Sequence, residues 1–207
     1  CVEMGADVTV GEMAVVKKLL GGSPSEFALL KSHSDERMFG VQLADKRTET
    51  LVEGARLAES RGARFVDLNC GCPIDQITRR GLGASLLRKP TKVGRLVAAM
   101  KGAVSIPVTV KLRAGWHEDK VNVSDVARAC EENGADAIAI HGRTREQRYS
   151  KAADWDLVGR VAAERDSGTF PAIVVDEGER QSQRGIATPG IAVHGEVQQV
   201  PHLIAVE

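Results

Sequence analysis

Phe65-Val66 runs directly into Asp67-Leu68-Asn69-Cys70-Gly71-Cys72-Pro73. An apolar run that closes on an amide, a thiol and a Gly-Cys-Pro turn reads as a buried strand with polar groups at its C-terminal end. The same arrangement recurs. Val8-Thr9-Val10 leads into Glu12, and Phe39-Gly40-Val41 leads into Gln42. Pro107-Val108-Thr109-Val110 leads into Lys111 and Arg113, and Ala137-Ile138-Ala139-Ile140 leads into His141 and Arg143. Between these runs lie amphipathic stretches of helix length at 48–61, 123–133 and 155–165. In the first, Leu51, Ala55, Leu57 and Ala58 share a face, and Gly134 closes the second as a C-cap. Alternation of this kind implies parallel strands joined by right-handed crossovers. The polar groups then gather on one rim, the C-terminal end of the strands, where a parallel α/β barrel collects its functional groups.

Six strands are predicted, at 7–10, 38–43, 64–69, 107–112, 136–141 and 171–175. A closed (βα)8 barrel needs eight strands and about 250 residues. The fold class is therefore α/β, an incomplete (βα)8 barrel holding about strands 2–7. Its expected extent is residues 1–176. Residues 177–207 have scattered Gly, Gln and Pro and no sustained period, and read as an irregular tail. The chain's 207 residues can bury a substantial core. No apolar run approaches the roughly 18 residues of a membrane helix. The zero formal net charge weighs mildly against an autonomous nucleic-acid binder, which is usually basic. Four cysteines (Cys1, Cys70, Cys72, Cys130) form no disulfide framework and suit a cytoplasmic or nuclear protein with free thiols. Cys70-Gly71-Cys72 lacks the second cysteine pair that a structural zinc site needs, so no metal is expected.

The motifs, taken in order, resemble the tRNA-dihydrouridine synthases. The matching pieces are Gly5-Ala6-Asp7 with Gly11-Glu12-Met13, Phe39-Gly40-Val41-Gln42, Asp67-Leu68-Asn69-Cys70-Gly71-Cys72-Pro73, Gly81-Leu82-Gly83-Ala84, Val110-Lys111-Leu112-Arg113 and His141-Gly142-Arg143-Thr144. Arg145-Glu146-Gln147-Arg148-Tyr149-Ser150-Lys151 and Ala153-Asp154-Trp155 look most like the eukaryotic subfamily acting at tRNA nucleotide 47. The resemblance implies a flavin-dependent (βα)8 barrel that reduces uridine in tRNA, with FMN as cofactor and NADPH or NADH as reductant. It covers residues 1–175. The family's first strand, with a Pro-Met flavin contact, is expected to precede Cys1. The Asn-Gly-Asp turn expected after Val175 is replaced by Asp176-Glu177-Gly178, and the Gly-Arg-Gly of the eighth strand is absent.

Reducing the C5=C6 bond of uracil requires a hydride at C6 and a proton at C5. No side chain supplies a hydride, so a cofactor must. By the resemblance Cys72 is the general acid. Free cysteine thiols are mostly protonated at neutral pH, which suits that task. A lone cysteine is more often a buried small hydrophobe. Here the flanking Gly71 and Pro73 set a tight turn that exposes it. Lys111 and Arg113 are two apart on one strand and share a face. The resemblance gives Lys111, His141 and Arg143 contacts to the flavin, and Gln42 its pyrimidine edge. It gives Asn69 and Arg113 contacts to the target uridine, and Arg79 and Arg80 contacts to tRNA phosphates. Glu12 is expected to orient Lys111 or another cation. Gly81-Leu82-Gly83 is expected in a flexible substrate-side loop. A reacting base must leave its stack to reach a flavin, so base extrusion is implied. Two alternatives compete: another pyrimidine-reducing flavin barrel, and a barrel fragment that binds no flavin.

Overall fold

The computed structural model describes residues 1–165, 173–175 and 204–205. Its strands are β1 (Val8–Val10), β2 (Ala14–Val15), β3 (Met38–Ala44), β4 (Phe65–Cys70), β5 (Val108–Gly115), β6 (Ala137–Thr144), β7 (Ile173–Val175) and β8 (Ile204–Ala205). Its helices are α1 (Val16–Leu20), α2 (Pro24–Ala28), α3 (Thr48–Ser60), α4 (Asp75–Thr78), α5 (Pro90–Lys101), α6 (Val123–Glu132) and α7 (Trp155–Arg165). One sheet runs β7-β6-β5-β4-β3-β1-β8, with β2 beside β3, and every pair of these strands is parallel. This is the wall of an incomplete (βα)8 barrel.

Each predicted strand has a counterpart. β5 and β6 run three residues beyond their predicted ends at 112 and 141. The ladder continues through the charged residues, with Arg113 opposite His141 and, past a register shift, Gly115 opposite Thr144. The helix α5 was not predicted. Pro90 occupies its first turn, and Val93, Leu96, Val97 and Met100 form its buried face. Most of the tail lies outside the described residues. Ile204–Ala205 within it pairs with β1 at Val8↔Ile204 and Thr9↔Ala205.

Alternation along each strand sends one set of side chains to the helices and the other to the interior. Val41, Leu43, Val66, Leu68, Cys70, Val108, Val110, Leu112, Ile138 and Ile140 are buried in the main apolar core. There they meet Leu51, Ala55 and Ala58 of α3, Val93 and Val97 of α5, and Val126, Ala127 and Cys130 of α6. On α3, Gly54 joins the buried face, where Val16 lies in the place of a β-carbon, and Leu57 packs partly buried against the core. The α6 terminus agrees with the sequence: Gly134, at φ 87°, follows Asn133 and takes the left-handed position.

The interior floor depends on another glycine. A β-carbon on Gly40 would overlap the ring of Phe65 on the neighbouring strand. Gly40→Val is expected to cost about 1–3 kcal/mol of overpacking, read as a lower urea midpoint. A midpoint equal to wild type would contradict this packing.

The helix side of the core also holds two thiols. Burial pushes Cys130 up to about 12. Cys70 is raised as well, by burial first and then by the proximity of Cys130 and Asp67. A cysteine in an unfolded chain loses its proton near about pH 8.5, so above that pH unfolding releases a proton that the fold retains. The contribution to stability is complete below that value and is lost as pH rises toward 12. From pH 8.5 to 11, wild-type unfolding free energy should therefore fall more steeply than that of Cys130→Ala. The expected difference is up to about 1.4 kcal/mol per pH unit. Parallel pH profiles in urea titrations would contradict the burial of this thiol.

Candidate active site

The interior faces of β3 to β6 carry the polar residues singled out in the sequence. Gln42, Asn69, Arg113, His141 and Arg143 are buried in the C-terminal half of their strands, and Lys111 is buried at the middle of β5. Register explains their convergence: Gln42 lies opposite Asp67, Asn69 opposite Lys111, and Arg113 opposite His141.

Asp67 is the hub of a hydrogen-bond network that sequence reasoning missed. Thr109 Oγ1 donates to Asp67 Oδ1 at 2.6 Å, and Gln42 Nε2 donates to Asp67 Oδ2 at 2.8 Å. Asn69 Nδ2 donates to Gln42 Oε1 at 2.6 Å. Asn69 Oδ1 accepts from Gly71 N–H at 3.2 Å and Cys72 N–H at 2.9 Å. One connected path thus leads from the barrel floor to the cysteine turn. Burial pushes the Asp67 carboxyl above the usual range, against the lowering pull of Thr109, Gln42 and the charge of Lys111. The charge of Lys111 therefore acts on Asp67. Glu12 is exposed and lines a cavity of about 600 Å³ with Thr9, Met13, Glu36 and Gln42. A signal was present, because Asp67 and Asn69 share parity on one strand and must face the same side.

Cys72 is half-buried at the end of the β4 turn. Its N–H is held by Asn69, and its carbonyl accepts from Ala84 N–H at 3.0 Å. The Gly81-Leu82-Gly83 stretch does not form an open loop. Leu82, Gly83 and Ala84 are buried. Gly83, at φ 58°, sits so close that a β-carbon would come within 2.7 Å of the Cys72 carbonyl. This segment backs the cysteine turn from below.

Arg113 is 3% exposed and serves as a brace. Its Nε donates to the Gly71 carbonyl at 2.9 Å, and its Nη1 donates to the carbonyls of Thr144 at 3.2 Å and Arg148 at 3.1 Å. It thereby ties the Cys72 turn to the loop after β6. Arg143 is 1% exposed, and its Nε donates to the Lys151 carbonyl. Its Nη1 lies 3.1 Å from His141 Nε2. A guanidinium can only donate, so His141 Nε2 accepts in this arrangement. Arg79 and Arg80 are exposed beyond α4, on the rim and outside this buried network.

Two loops close over the rim. Asp75, at the start of α4, pairs with Arg145, and with Arg148 at 3.3 Å. Trp116 lies between cations, with the Arg88 guanidinium 4.3 Å and that of Arg145 4.8 Å from its ring centroid. The Tyr149 ring sits 5.4 Å from the Arg113 guanidinium, 5.7 Å from that of Arg143 and 6.0 Å from the His141 ring.

A parallel α/β barrel wall with a thiol turn, two amides and three buried cations on its C-terminal rim defines the molecule as a barrel with a built site at the usual end. The comparisons with known proteins narrow this further. The family described as Dihydrouridine synthase (Dus) matches residues 1–170, and the chain belongs to that family. It is 43% identical over 168 residues to the NAD(P)(+) tRNA-dihydrouridine(47) synthase of Coprinopsis cinerea, covering 79% of this chain and 25% of that protein. It is 41% identical over 163 residues to an Oryza sativa protein named as like that synthase, covering 78% and 24%. Against the similarly named Homo sapiens protein it is 42% identical over 160 residues, covering 76% and 24%. The chain spans about a quarter of the length of these curated relatives.

Proposed function

We propose that this barrel reduces uridine to 5,6-dihydrouridine in tRNA, at nucleotide 47, with FMN as cofactor and NADPH or NADH as reductant. The single observation that carries the reading is the connected network from Asp67 through Gln42 and Asn69 to the Cys72 backbone, on a rim that buries Lys111, Arg113 and Arg143.

The residues present fit a flavin. On the interior faces of β3 to β6, the buried side chains of Lys111, Arg113 and Arg143 supply N–H donors of the kind that suits a group with acceptor edges. The Gln42 amide offers donor and acceptor together, as a pyrimidine edge requires, and its bonds to Asp67 and Asn69 use only one of its two donors and one of its two lone pairs. Gln42, Lys111, His141 and Arg143 would hold the cofactor, and bound there it supplies the hydride that uracil C6 receives. Cys72 holds the proton at Sγ and gives it to C5 as general acid. Asn69 fixes the turn that aims the thiol, and its amide remains able to meet the extruded base. Arg113 keeps the cysteine turn and the rim loop in register, so that both act on one base. Arg79 and Arg80, both exposed, would meet tRNA phosphates.

Selectivity is the test. The chain, supplied with FMN and NADPH or NADH, is expected to retain a flavin absorbance through gel filtration and to form dihydrouridine in unmodified tRNA. Free uracil and dihydroorotate should be poor substrates. Flavin retention with turnover of free pyrimidines and none of tRNA would favour a different pyrimidine-reducing barrel. A colourless protein would favour the non-enzymatic alternative.

A further inference from the structure

We propose that Tyr149, exposed on the rim beside the buried guanidiniums of Arg113 and Arg143, is a stacking platform for an unpaired RNA base flanking the target nucleotide. The inference rests on the reading of this chain as a tRNA-acting barrel, and it adds a binding position to that reading.

Exposure alone means little, since single exposed apolar residues are normal. Tyr149 differs in how firmly a bare ring is mounted. It is the chain's one tyrosine, and it is 71% exposed. Arg113 and Arg143, which lie within 5.4 and 5.7 Å of its centroid, are almost wholly buried. The ring's inner side therefore rests on the protein's cations, and its outer side faces solvent. The residue before it, Arg148, has φ 49°, the one non-glycine among the described residues with positive φ. Such a conformation costs on the order of 1–3 kcal/mol and persists only where surroundings enforce it. Here the enforcement is visible. Arg113 holds the Arg148 carbonyl, Asp75 holds the Arg145 and Arg148 side chains, and Arg145 N–H donates to the Gly115 carbonyl at 2.9 Å. A fastened backbone presenting a bare aromatic ring is already ordered for binding, so little freedom is lost when a partner arrives.

The chemistry of the surroundings selects the partner. Nucleobases stack on aromatic rings whatever their sequence, and single-stranded RNA is commonly read this way. Cations against one face strengthen the ring's fit to a polyanion. The Arg148 side chain is 56% exposed beside the ring, and Arg79 and Arg80 are exposed on the neighbouring loop. All three can meet phosphates on either side of a stacked base.

The test is a titration of the FMN-loaded chain into a fluorescently labelled, unmodified tRNA transcript, read by anisotropy at several salt concentrations. Tyr149→Ala should raise Kd roughly five- to 100-fold. The slope of log Kd against log salt should stay unchanged, because stacking releases no counterions. Tyr149→Phe should bind within about twofold of wild type, and Tyr149→Leu should behave like alanine, because stacking needs the π-face rather than apolar bulk. Arg148→Ala should instead flatten the salt slope. A Tyr149→Ala chain with wild-type tRNA affinity would overturn the platform while leaving the uridine-reductase reading intact. So would a Tyr149→Ala chain that loses FMN and keeps tRNA, since the ring would then belong to the cofactor site. A wild-type chain that binds no tRNA would overturn both.

Discussion

Replacing Cys72 by alanine is expected to lower the rate of dihydrouridine formation about 100- to 10,000-fold, with flavin retention and tRNA affinity kept. The structure explains why the loss should be confined to chemistry. Both backbone groups of Cys72 are held by neighbours, the N–H by Asn69 and the carbonyl by Ala84. Gly83 packs beneath the carbonyl, so the turn does not depend on the thiol. Removing Sγ from a half-exposed position opens no large cavity. Initial rates on unmodified tRNA, with flavin absorbance measured on the same preparation, separate the two effects. A Cys72→Ala chain within tenfold of wild-type rate would show that the proton at C5 comes from elsewhere.

Replacing Arg113 by alanine is expected to have the largest effect on the fold of the site, a loss of at least about 3 kcal/mol in unfolding free energy. The guanidinium satisfies three carbonyls from three segments: Gly71 after β4, Thr144 at the end of β6 and Arg148 in the rim loop. A hydrogen bond to a charged donor is worth about 1.5–3 kcal/mol, and leaving buried partners unsatisfied costs on the same scale. Lysine is the informative comparison. It keeps the charge, but its single ammonium lacks the planar fork that reaches acceptors on two sides. Arg113→Lys should therefore recover less than half of the stability lost in alanine. Urea titrations of the three proteins read this directly. A loss under about 1 kcal/mol for Arg113→Ala would show that the carbonyls find other partners and that the brace is dispensable.

The strands and their polar ends were legible in the sequence because a buried parallel strand writes itself as a short apolar run. The parity of Lys111 and Arg113 gives their shared face without any structure. The barrel class followed from the alternation with amphipathic stretches, and the family comparison agrees with it. What was not legible depends on partners distant in sequence. Asp67 reads as the polar start of a strand end, yet it is the buried centre of the network because Gln42 and Thr109 stand on the two neighbouring strands. Asp75 meets Arg145 and Arg148 across 70 and 73 residues, and no local pattern announces that pairing. The resemblance puts Gly81-Leu82-Gly83 in a flexible loop, but close approach to Cys72 is what needs Gly83. The helix α5 is less legible because Gly94-Arg95 interrupts its apolar residues and Leu96–Met100 is apolar throughout, although Pro90 and the spacing of Val93, Val97 and Met100 carry its signature.

The most direct test of the central claim is nucleoside mass spectrometry of unmodified tRNA after incubation with this chain, FMN and NADPH or NADH. The account predicts dihydrouridine, two mass units above uridine, formed at nucleotide 47 by wild type and nearly abolished in Cys72→Ala. Flavin-loaded wild-type protein that leaves every uridine unreduced would contradict it.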